Sequence, residues 1–178
     1  MALTATIYNF DVDLSDNDRS VYETVAIRAA QHPSESDEYL MARVLAYLLE
    51  FREGIDFSRG VSEPEEPMIS VRDLTGKIVT WIDIGTPDST RLHKASKAAE
   101  RVAVYSHKEH AQWLKGLAAA NIHRADALEL YAIDRTLIAE LVSRLDRRMA
   151  FGVSITEREL YVSIGDVNLT GRVERLAL

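Results

Sequence analysis

The chain has 178 residues, enough for one domain with a core that needs no cross-links, and it carries no cysteine, which excludes disulfides and thiolate metal sites. Its net charge of −7 is opposite in sign to that of a protein that coats nucleic acid, so any nucleic-acid contact must come from a local basic patch. No apolar run approaches the roughly 20 residues that span a bilayer, and Met1 to Tyr8 has no basic leader; the expected location is the cytoplasm, with no membrane association.

Residues 5–14 alternate, with Ile7, Phe10 and Val12 among polar neighbours, and end at Ser15-Asp16-Asn17-Asp18, which predicts a strand and a turn. Val21 to Ala30 reads as the hairpin partner, although its alanines and glutamate also permit a helix. Pro33-Ser34 opens a helix, with Ser34 as N-cap and Glu35, Asp37 and Glu38 favouring the positive end of its dipole. Leu40, Met41, Val44, Leu45, Leu48 and Leu49 follow at helical spacing, and Arg52-Glu53-Gly54 stops the helix. Residues 58–67 form a loop with two prolines. Met68 to Asp73 and Ile78 to Ile84 are strands joined by Leu74-Thr75-Gly76-Lys77. Thr86-Pro87 starts a second helix running towards Glu100, with Thr86 as cap. A strand over residues 102–105 comes next, then a third helix boxed by Ser106 and Glu109. Leu128 to Ile133 is a buried strand, Asp134 caps a fourth helix ending near Arg144, and three strands close the chain at 149–156, 160–164 and 167–173. There are no repeats and no long linker, so a single domain over residues 1–178 is expected. Its class is α/β (α+β), a mixed sheet flanked by helices.

Asp83 breaks the pattern of its strand, which is otherwise apolar enough to be central. A carboxylate there is costly unless paired, hydrogen-bonded or metal-bound. If the hairpin turns at Thr75-Gly76, cross-strand residue numbers sum to about 151 and Asp83 lies opposite Met68. Glu66 then sits near the same end, whereas Asp73 is at the turn. Glu38 shares a helix face with Met41, Leu45 and Leu48, at the edge of the buried stripe. Converging carboxylates of this kind hold Mg²⁺ or Mn²⁺, and the helix after Asp83 adds Arg91, His93, Lys94, Lys97 and Arg101, with Lys94 in its second turn. The plainer alternative for Asp83 is an ion pair with an arginine such as Arg91. His107 and His110 read as surface residues at a helix start, Trp81 and Trp113 as packing residues, and Arg144, Arg147 and Arg148 as a small basic patch. No Gly-rich phosphate loop and no nucleophile elbow occur.

Several pieces occur together in order: the start Met1 to Tyr8, His32-Pro33-Ser34-Glu35, Ser58-Arg59-Gly60, Trp81-Ile82-Asp83-Ile84-Gly85 with Pro87-Asp88, the Lys94 helix, and Val167-Asn168-Leu169-Thr170. With this order and spacing the chain resembles the YaeQ family from end to end. The resemblance implies a compact variant of the PD-(D/E)XK nuclease fold with added N- and C-terminal strands. It also implies site roles: Glu66 as the first acid, Asp83 as the second, Glu38 as the helical acid, and Mg²⁺ or Mn²⁺ held among them. The lysine normally two residues after the second acid is replaced by Gly85, so Lys94 would stand in from the helix. Two functions are open on this basis. One is a metal-dependent phosphodiester hydrolase acting on nucleic acid. The other is a non-catalytic nuclease-fold module that binds a protein or nucleic acid, in transcription-related regulation.

Overall fold

The computed structural model describes residues 4–58 and 65–178, so Arg59, Gly60 and most of the expected 58–67 loop lie outside the described residues. The strands are β1 (Thr6–Asp16), β2 (Val21–Gln31), β3 (Ile55–Phe57), β4 (Ile69–Arg72), β5 (Ile78–Ile84), β6 (Arg101–Ser106), β7 (Glu129–Ile133), β8 (Arg148–Thr156), β9 (Glu159–Ile164) and β10 (Val167–Leu176). The helices are α1 (Asp37–Leu49), α2 (Ser89–Ala98), α3 (Ala111–Ala119) and α4 (Arg135–Val142). The chain divides into two compact units, Met1–Val44 with Ile133–Glu174 and Leu45–Ala132 with Arg175–Leu178, and the boundary falls inside α1.

In the first unit the strand order is β2-β1-β8-β9-β10. Alternation sets its faces: Phe10, Val12 and Leu14 of β1 and Val25, Ile27 and Ala29 of β2 are buried, while Asp11 and Asp13 are exposed. β2 is therefore a strand, and it pairs antiparallel with β1 in an unbroken register from Thr6↔Gln31 to Asp16↔Val21. β1 and β8 run parallel, and β8, β9 and β10 follow as antiparallel neighbours. Asp134 caps α4 as expected, its carboxylate accepting from the Thr136 and Leu137 N–H groups. α4 lies so close to β10 that a Cβ on Gly171 would sit 2.7 Å from Leu137 Cβ.

The start of α1 differs from expectation. Ser36, not Ser34, receives the Tyr39 N–H, and Ser34 instead bonds the ring of His32. Glu35 is drawn out of the first turn by Arg43, whose Nη2 lies 2.9 Å from Glu35 Oε2 and 2.9 Å from the Ala30 carbonyl. Both side chains are buried. Burial raises the Glu35 pKa, and the Arg43 charge and hydrogen bond only partly offset this. Beyond its first turn α1 has no single apolar stripe: every residue from Leu40 to Ala46 is buried.

The second unit has the order β7-β6-β5-β4-β3. β5, β6 and β7 are parallel, linked by α2 and α3, and the β4–β5 and β3–β4 pairs are antiparallel. Strand residues Trp81, Val102, Val104 and Leu130 pack with Leu92 and Ala95 of α2 and Leu117 of α3 into one core cluster. The helix caps fall later than expected. Asp88, not Thr86, caps α2 by accepting the Arg91 N–H, because the Pro87 carbonyl is held by the Trp113 indole. Ser106 accepts the Lys108 N–H in a local turn, so α3 begins only after His110, and His107 is buried rather than on the surface. The short strand β3 was not expected.

Candidate functional site

The β4–β5 register follows the cross-strand sum of 151, with Ile69↔Ile82, Ser70↔Trp81 and Val71↔Thr80, and slips only at the turn end. It places Met68 opposite Asp83, and the Met68 N–H donates to Asp83 Oδ1 at 3.3 Å. Asp83 is the penultimate residue of a strand buried on both faces, and 1% of its side chain is exposed. A charge so placed needs a partner. Arg91, one turn into α2, supplies it: Nε lies 2.6 Å from Oδ2 and Nη2 lies 2.9 Å from Oδ1. The guanidinium carbon lies 5.4 Å from the Trp81 ring centroid, so the cation also covers an aromatic face.

Arg91 Nη2 makes a third contact, donating to the Glu66 main-chain carbonyl at 2.8 Å. The structure thus brings together Asp83, the backbone of Glu66, and Arg91. Lys94 points elsewhere and pairs with exposed Glu65. Glu38 lies in the first turn of α1, in the other unit, and is exposed. Among the described residues no group of three or more His, Asp or Glu side chains is placed to hold a metal ion. Both carboxylate oxygens of Asp83 accept hydrogen bonds from the Arg91 guanidinium. Gly85, where the nuclease pattern has lysine, adopts φ +89°, a conformation that side chains strain to reach.

A second polar cluster escaped the sequence reading. Arg101 is the first residue of β6, not part of the preceding helix, and its guanidinium bridges Glu50 and Glu129. Tyr105 donates to Glu50 and Tyr131 donates to Glu129, with the two rings stacked at 4.9 Å. Arg175 lies over the Tyr131 ring. Burial followed by the Glu50 charge pushes the Tyr105 hydroxyl well above its ordinary pKa. Burial would raise Glu129, but hydrogen bonds from Arg101 and Tyr131 hold it below the ordinary range. The signal for this cluster was the same as for Asp83: ionisable residues at alternate positions of apolar strands.

The chain is similar throughout to proteins of one family. The YaeQ family model, described as YaeQ protein, matches residues 1–173. Proteins named uncharacterized protein YaeQ from Salmonella typhi and Escherichia coli (strain K12) are 33% and 32% identical over 171 residues, covering 95% of this chain and 94% of each relative. The crystal structure of the YaeQ protein from Pseudomonas syringae superposes with a TM-score of 0.89 at 28% identity, covering 98% of this chain and 97% of that one. The structure from Xanthomonas axonopodis pv. citri gives 0.89 at 33% identity, covering 97% and 98%. Matched along almost its whole length in both sequence and fold, the chain belongs to the YaeQ family.

Proposed function

We propose that this chain is a non-catalytic binding module whose nuclease-like site is closed by an internal cation. The observation that supports this most directly is Arg91 Nη2, which sits between two oxygens, Asp83 Oδ1 at 2.9 Å and the Glu66 carbonyl at 2.8 Å. Two convergent oxygens of this kind suit a hard cation, and the guanidinium takes that place. Lys94 is committed to Glu65, which removes the cation that would steady developing charge on a phosphate. The partner is a protein rather than nucleic acid. The net charge is −7, and within the basic patch Arg144 pairs with Glu140 while Arg147 donates to the Ile7 carbonyl.

Calorimetry with Mn²⁺ on the wild type, Asp83→Asn and Arg91→Ala tests this reading. The expected result is no binding to wild type, and weak binding to Arg91→Ala, in which Asp83 Oδ1 and the Glu66 carbonyl are released. Wild-type binding that disappears in Asp83→Asn would overturn it. That outcome would favour a Mg²⁺- or Mn²⁺-dependent hydrolase with Glu38, Glu66 and Asp83 as ligands and Lys94 as the assisting cation, to be followed by nuclease assays with Asp83→Asn as control.

A further inference from the structure

The geometry points to β2 as a self-pairing edge: we propose that two copies of this chain join antiparallel along Tyr22–Arg28, about a two-fold axis at Val25. This inference is independent of the Asp83 site. β2 is the end strand of its unit, and its eleven residues carry no proline, no lysine and no bulge. Those are among the devices by which edge strands are kept from pairing; of the others, β2 has Glu23, which shares a face with Val25 and Ile27. Its charges are Glu23 and Arg28 alone.

The direction of the backbone groups follows from the ladder. The Asn9 N–H donates to the Arg147 carbonyl at 2.8 Å, so odd-numbered residues of β1 bond towards β8 and even-numbered ones towards β2. Tyr8↔Ala29 and Val12↔Val25 are opposite pairs, so odd-numbered residues of β2 bond back to β1. The N–H and C=O groups of Tyr22, Thr24, Ala26, Arg28 and Ala30 therefore point away from the sheet. Arg43 takes the Ala30 carbonyl, which agrees with this direction and ends the available edge at Arg28. Among the described residues nothing bonds the outward backbone groups of Tyr22, Thr24, Ala26 or Arg28.

The open run is symmetric about Val25, and this selects the register and the occupant. In a second copy turned about that point, Thr24 faces Ala26 and Tyr22 faces Arg28, so each outward N–H of one copy meets a C=O of the other. Tyr22, 61% exposed, then gains a guanidinium beside its ring, and exposed Arg28 gains an aromatic neighbour. Val25 meets Val25 and extends the buried row of the inner face. One pair is poor: Glu23 lies opposite Ile27.

Sedimentation equilibrium of the full chain from micromolar to millimolar concentration tests the proposal. Wild type moves from monomer to dimer mass. Ala26→Pro leaves the β1 ladder intact, because the N–H it removes points outward, and it raises the dissociation constant by about tenfold or more through the loss of the two central bonds. Glu23→Val lowers the dissociation constant, a gain that misfolding would not mimic. By hydrogen exchange, the Thr24, Ala26 and Arg28 amides slow as concentration rises, while Val25 and Ile27 stay protected throughout. A wild type that stays monomeric, a dimer indifferent to Ala26→Pro, or exchange at these three amides that ignores concentration would each overturn the assignment.

Discussion

The Glu35 side chain, 1% exposed with Arg43 in place, would lose its ion-pair partner if the Arg43 guanidinium were removed, leaving His32 as the other positive group acting on it. Breaking one side of such a buried pair costs about 3–5 kcal/mol, so Arg43→Met should lose that much stability near neutral pH. The loss should shrink on acidification. The Glu35 pKa is already raised by burial, and losing Arg43 raises it further. A raised carboxyl contributes stability that is complete below its unfolded pKa and fades as pH rises through the folded one. Urea denaturation of both proteins at pH 7 and pH 5 checks this, and an equal loss at both values would sink it. At this scale the sequence exposes misfits better than partners. Asp83 stood out as a carboxylate in an apolar strand, and the hairpin arithmetic brought it to Met68. The use of Glu66 through its carbonyl was not legible, since residue spacing says nothing about where a main-chain oxygen points. Arg101 was hidden because its partners, Glu50 and Glu129, lie far away along the chain.

Between elements, the approach of α4 to β10 is set by the absence of a side chain at Gly171. The backbone there is ordinary, and the constraint is space: Leu137 and Asp134 fill what a methyl would need. Gly171→Ala should therefore destabilise by about 1–3 kcal/mol through overpacking, and pairing it with Leu137→Ala should recover part of the loss. Thermal unfolding of the single and double variants measures both, and a Gly171→Ala protein as stable as wild type would contradict the packing argument. The ten strands were largely readable because turn residues bound them and either alternation, as in β1 and β8, or a short apolar run, as in β5, marks them. The three-residue β3 is too short to show a period. Helix starts slipped for a shared reason: several capping residues stood close together, and tertiary contacts chose among them. Arg43 takes Glu35 and leaves Ser36 to cap α1, and Trp113 holds Pro87 and leaves Asp88 to cap α2.

Each unit is assembled from separated stretches of chain. A fragment of residues 1–132 would contain β1 and β2 but neither β8 nor anything else to pair with the far side of β1. A lone hairpin is marginal in water, so the β1 and β2 amides of this fragment should exchange almost as fast as in an unfolded chain, while β5 and β6 keep measurable protection. Protected β1 amides in the fragment would refute the expectation. The parallel β1–β8 pair joins Asn9 to Arg148 and is among the most distant contacts in the sequence. On a translating ribosome the N-terminal hairpin therefore emerges long before its neighbour has been made. The far edge of β1 stays unpaired through most of synthesis, a window in which nascent chains on one polysome can meet and a holding chaperone has most to gain.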